Sequence, residues 1–130
     1  MELSRGGVRK LLNCLAVGAG GFLGAVLRYL IGLIPLEMKL GFPVKTFAIN
    51  IIGCFAIGLI AGFAEKSSIA PRLILLLKVG VCGGFTTFSS FALETHGLIS
   101  IGNTLTGILY ALLSLVAGTF AVLLGQIIVK

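Results

Sequence analysis

The chain has 130 residues, 58% of them hydrophobic, a mean hydropathy of +1.17, ten Lys and Arg, and only four acidic side chains. Soluble domains carry about 25% charged residues, so this composition excludes a soluble domain and defines an integral membrane protein. Aspartate is absent, and the single histidine, His96, has no His or Cys beside it. Metal enzymes and acid–base hydrolases need clustered ligands or paired carboxylates, so no enzyme is expected, and no nucleic-acid partner.

Spans of about 20 apolar residues cross a bilayer. The pattern predicts four of them in one membrane domain covering 1–130, at about 11–34, 44–64, 72–96 and 104–128. Four thin helices cannot both line a pore and seal it from lipid, so a transport role requires an oligomer. The 19 glycines are about twice the usual share, and small residues let membrane helices approach closely. Cys14, Cys54 and Cys82 all lie in apolar segments without CxxC spacing, which predicts small buried residues rather than a disulfide or metal framework.

In chain order, a basic start with Arg5, Arg9 and Lys10 leads into an apolar run from Leu11. The run is long for a signal peptide, so a retained first span is expected. Gly20 and Gly24 form a small-xxx-small pair with Arg28 four residues on. Arg28 has two readings, an arginine snorkelling to the interface or one lining a wet approach for an anion. Pro35, Glu37, Lys39 and Pro43 mark a loop.

In the second span Asn50, Cys54, Gly58 and Gly62 recur every four residues, which puts them on one helix face. The small residues predict a packing seam. Asn50 is open between interhelical glue and an amide offered to a permeating ion. Residues 65–71 (EKSSIAP) make a turn, and Asn103 is placed to cap the fourth helix. There Tyr110, Ser114 and Gly118 share a face; the phenol and hydroxyl need protein or water partners, and Ser114 can also bond its own helix.

The third span holds the most unusual run, Gly80 to Glu94 (GVCGGFTTFSSFALE). Gly80, Gly83 and Gly84 loosen the backbone, and Thr86, Thr87, Ser89 and Ser90 interleave with Phe85, Phe88 and Phe91. Such a segment at membrane depth is tolerated where it is buried in protein or lines a wet cavity. A helix break is expected over Gly83 to Thr86, where unwound carbonyls can coordinate a cation. Phe88 and Phe91 read either as core or lipid contacts or as cavity edges whose ring hydrogens carry partial positive charge.

Lys and Arg bias sets orientation. One side carries six (Arg5, Arg9, Lys10, Lys66, Arg72, Lys130) and the other two (Lys39, Lys45), which favours cytoplasmic termini.

The pieces GGFLGAVLRY at 20–29, TFAINIIG at 46–53, the run 80–94 and the Tyr110–Ser114 pair together resemble the CrcB/Fluc family of fluoride channels, over nearly the whole chain. The resemblance implies an all-α membrane protein of four helices per subunit, with the third broken mid-membrane, and an antiparallel, dual-topology dimer with two pores along its interface. It implies passive, fluoride-selective export across the cell membrane. By the same resemblance Asn50 donates to fluoride, Phe88 and Phe91 line the pores, and Thr87, Ser90, Ser114 and Tyr110 continue a polar track. Arg28 and Glu94 map to the vestibule, and the Gly83 and Thr86 carbonyls to a structural sodium ion at the dimer interface. The six-to-two charge bias leaves a homodimer and a heterodimer with an oppositely biased paralogue both open.

Two other readings compete. A small proton-coupled multidrug antiporter needs a membrane-embedded carboxylate; the first two spans hold none, and Glu94 lies at a span end. A non-transporting assembly subunit would use the glycine seams but leaves the hydroxyl–Phe run unexplained.

Overall fold

The computed structural model describes residues 2–36, 41–67 and 69–130, with 2–5 described by backbone alone. Glu37 and Lys39 of the expected loop, and Ser68 of the expected turn, lie outside the described residues. The described chain is helical throughout: α1 (Glu2–Gly32), α2 (Val44–Lys66), α3 (Pro71–Ile74), a π-helical stretch (Leu75–Cys82), α4 (Gly83–Phe85), α5 (Phe88–Ser100) and α6 (Thr104–Val129). The elements from Pro71 to Ser100 run on as a third span of 30 residues. Even the shortest span, α2 with 23 residues, is about 35 Å long at 1.5 Å per residue, enough to cross a hydrocarbon core of about 30 Å.

Local chemistry sets the ends. The first helix starts at Glu2 rather than near Leu11, because no proline interrupts the basic tail and a helix can continue past the apolar layer. Beyond its C-terminus, Lys45 Nζ donates to the carbonyls of Gly32 (3.0 Å) and Ile34 (3.4 Å), placing a cation at the negative end of the helix dipole. Pro71 opens α3 at a position where its missing N–H costs nothing. The end of α5 is a Schellman turn. Asn103 N–H bonds Leu98 O (2.9 Å), Gly102 N–H bonds Ile99 O (3.1 Å), and Gly102 takes φ +84°, a left-handed conformation that favours glycine. Asn103 then stands at the start of α6, its side-chain oxygen accepting from the Thr106 hydroxyl at 2.8 Å.

Two glycine seams hold the spans together. Along the first, α1 lies against the π-helical stretch and α4. A Cβ at Gly20 would stand 2.9 Å from Gly80 Cα, and one at Gly24 would stand 2.7 Å from Phe85 N. Along the second, α2 lies against α6, with Gly58 facing the Val122 backbone, Gly125 facing Phe55 and Leu59, and Gly62 facing Val129. The four-residue repeat in the second span is thus a packing seam. The side chains buried within the chain are few, with Ile49, Leu98 and Tyr110 the largest of them. Of the cysteines only Cys82 is buried; Cys14, expected inside, is exposed, because α1 packs along its glycine face and turns the rest outward.

Candidate functional site

The helical ladder stops at Phe85. Thr86 (φ −79°, ψ 159°) and Thr87 (φ −151°, ψ 117°) are extended, and α5 begins at Phe88. The sequence reading placed the change at Gly83–Thr86; Gly83 and Gly84 are in fact helical, and the extended pair is Thr86–Thr87. β-Branched threonines suit extended backbone, whereas Gly84 is needed for contact, since a Cβ there would lie 3.0 Å from Gly21 Cα.

An interrupted helix must pair its freed groups. Asn50 on α2 does this twice, its Oδ1 accepting from Thr87 N–H (2.9 Å) and its Nδ2 donating to Thr87 O (3.2 Å). The interhelical role is therefore realised, and a carboxamide with two N–H bonds to give keeps one beyond Thr87. The Thr87 hydroxyl caps α5 by accepting from Ser90 N–H (3.2 Å) and donates to Ser90 Oγ (3.1 Å). Thr86 N–H and hydroxyl both return to Cys82 O, at 3.0 and 2.9 Å. Arg28 Nε, from α1, donates to Gly84 O at 3.1 Å.

These choices release carbonyls. In a continuous helix Thr87 N–H would close on Gly83 O and Ser90 N–H on Thr86 O, but both donors are diverted, to Asn50 and to Thr87 Oγ1. Carbonyl oxygens of this kind suit a hard cation. Among the described residues no group of three or more His, Cys, Asp or Glu side chains is placed to hold a metal.

Two grooves meet at Thr87. One, of about 750 Å³, is lined by Arg28, Lys45, Thr46, Thr87, Ser90 and Glu94 among others. The other, of about 690 Å³, is lined by Asn50, Lys78, Thr87, Phe88, Phe91 and Ser114 among others. Arg28 and Glu94, expected together, do share a groove. Phe88 is 80% exposed, its ring 5.6 Å from that of Phe91. Ser114 Oγ is buried without a hydrogen-bond partner among the described residues.

Tyr110 differs from the sequence reading. It lines neither groove and is fully buried, with its hydroxyl donating to Glu94 Oε2 at 2.8 Å. The other Glu94 oxygen accepts from Thr46 at 2.6 Å, so α2, α5 and α6 converge on one carboxylate. Rings continue this link from Phe47 through Phe42 and Tyr110 to Phe91 at centroid spacings of 5.2–5.4 Å. Thr46 and Phe42 were missed by sequence reasoning, although Thr46 stands four residues before Asn50 and so shares its face. Tyr110→Phe removes one hydrogen bond to a charged group, worth about 1.5–3 kcal/mol. The expected result is a lowered melting temperature in detergent; an unchanged one would mean the phenol contributes nothing to the junction.

Among the described residues, four helices long and apolar enough to span a membrane, two of them joined by an amide clamp at an extended step, define a multi-pass membrane protein built around a polar centre. The chain belongs to the CrcB family: the family model described as "CrcB-like protein, Camphor Resistance (CrcB)" matches residues 15–126. Among its relatives, a protein of Chlorobium phaeobacteroides is 44% identical over 117 residues, covering 89% of this chain and 91% of the relative. One of Chlorobaculum tepidum is 44% identical over 119 residues, covering 91% and 94%. One of Azobacteroides pseudotrichonymphae is 41% identical over 116 residues, covering 88% and 93%. Each is named a fluoride-specific ion channel, FluC.

Proposed function

We propose that this protein is a passive, fluoride-selective channel of the cell membrane that lowers cytoplasmic fluoride. The observation that carries the reading is the polar step at Asn50 and Thr87, where two grooves meet. Fluoride as the ion follows from the names of the relatives. Arg28 and Lys45 line one groove and Lys78 the other, so each end of the path presents a cation to an arriving anion. The remaining Asn50 N–H and the hydroxyls of Thr87, Ser90 and Ser114 replace part of the hydration shell. The Phe88 and Phe91 edges border the constriction, attracting without trapping.

The assembly in this reading is an antiparallel dimer. The groove of Arg28, Thr46, Ser90 and Glu94, and Asn50 and Lys78 in the other, would leave polar groups facing lipid, which is costly, and a second copy covers them. Phe88, with so little covering it in one subunit, then meets the partner. A break placed mid-membrane brings the Gly83 and Thr86 carbonyls of both subunits to the axis, where they would hold a sodium ion that fixes the two breaks together. A homodimer is the simpler assembly, although the charge bias also suits pairing with an oppositely biased paralogue. The antiporter reading is not supported: its only candidate carboxylate, Glu94, has both oxygens engaged by Thr46 and Tyr110.

The test is reconstitution in liposomes, with fluoride efflux followed by an electrode after an ionophore opens the counter-ion path. Folded wild-type protein without flux overturns the reading. Phe88→Ile is expected to cut efflux at least about tenfold while the dimer survives, since it keeps bulk but loses the ring edge. Normal conduction would remove Phe88 from the path.

A further inference from the structure

We propose that Lys78 is a rate-setting residue for anion entry, supplying the fixed positive charge of the groove on the Phe88 side of the break. The inference rests on the fluoride-channel reading above. Lys78 lies in the middle of the π-helical stretch, seven residues into the third span, and is exposed on the wall of the 690 Å³ groove. π-Helical turns are rare and are frequently found at functional sites.

Charge bookkeeping around the groove is one-sided. Of the acidic side chains among the described residues, Glu65 and Glu94, neither lines it, and Lys78 is the one ionic side chain among the described residues on its wall. Four other cations have structural partners. Lys45 bonds Gly32 O and Ile34 O, Lys66 bonds Lys130 O, Arg28 bonds Gly84 O and Arg72 bonds Asn13 Oδ1. Lys78 Nζ bonds no described residue, in contrast to all four.

A second feature of the same groove asks for an acceptor. Ser114 Oγ is buried and unpartnered among the described residues, so its O–H is available to an anion drawn in by Lys78. Snorkelling of the ammonium to the interface would account for the tolerance of a lysine here, but it leaves the absence of Glu65 and Glu94 from the groove and the waiting hydroxyl unconnected. An unpaired intramembrane lysine facing a wet cavity marks an ion path, and a focused field in a low-dielectric cleft raises local anion concentration.

The test compares assembled wild-type, Lys78→Gln and Lys78→Arg proteins in liposomes, reading initial fluoride efflux at low and at saturating fluoride. Loss of one unit charge near the mouth is expected to slow efflux on the order of tenfold at low fluoride. The deficit should shrink towards saturation, where entry no longer limits the rate, and Lys78→Arg should remain near wild type. Lys78→Met, which suits an apolar environment, replaces the glutamine variant should that one fail to assemble. Neutral variants matching wild type at every fluoride concentration overturn the proposal. So does an equal deficit at all concentrations, which would indicate damage to the fold. A wild-type protein that moves no fluoride defeats the underlying reading instead, and the proposal with it.

Discussion

Asn50→Ala should abolish fluoride efflux, and it should do so by unmaking the extended step rather than by removing one donor from the path. The side chain pairs both the N–H and the C=O of Thr87. Alanine leaves both groups without their partner at a half-buried step, at about 1–3 kcal/mol each. Roughly 3 kcal/mol added to the barrier for ion passage is already about a hundredfold in rate, so a hundredfold loss is the least expected. Asn50→Asp separates the two functions of the amide. Its carboxylate still accepts from Thr87 N–H but cannot donate to Thr87 O, and it puts a negative charge on an anion path. That variant should stay assembled yet conduct nothing. Wild-type efflux from Asn50→Ala would show that the step holds without the amide and that the pathway assignment is wrong.

The second large effect is on folding. Gly24→Val should prevent accumulation of assembled protein. A Cβ at this position points at Val81 O and lies 2.7 Å from Phe85 N and 3.0 Å from Gly84 C. All three are backbone atoms of a packed helix, so no flexible side-chain end can give way. Overpacking of well-filled sites typically costs 1–3 kcal/mol, and backbone contacts this close place Gly24 at about the upper end or beyond. The consequence reaches the site: Arg28, one turn on, holds Gly84 O only while α1 stays seated. Gly18 is the matched control, because nothing lies within 4 Å of a Cβ there. Gly18→Ala should be neutral or stabilising by up to about 1 kcal/mol through helix propensity. Melting curves by size-exclusion recovery after heating would compare the two; equal recovery would show that the seam is not what holds α1.

Much of this was legible in the residues. Spans follow from uninterrupted apolar length, and the glycine seams follow from four-residue spacing, because both are properties of a single helix. The polar character of 86–90 was equally plain, since hydroxyls among glycines cannot be ordinary lipid-facing sequence. Less legible was where the helical ladder would fail. Gly83 and Gly84 suggested themselves as the weak point, yet both stay helical, and only Gly84 lies so close to α1 that glycine is demanded there. The extended residues are the threonines, and α2 pairs the backbone of Thr87 from outside.

By itself, then, the sequence determined that the run 80–94 is polar in a chain made for lipid, that small residues line two helix faces, and that an asparagine shares one of them. Tertiary structure decided what each polar group does. Asn50 meets Thr87 across 37 residues and Thr46 meets Glu94 across 48. Such pairings depend on the rotation and tilt of one helix against another, which periodicity along a single helix does not encode. For the same reason Tyr110, on the same face as Ser114 by spacing, turns inward to Glu94 while Ser114 faces the groove. Lys78 was unremarked in the sequence, and it became the charge of a groove only once the fold had carried Glu65 and Glu94 elsewhere.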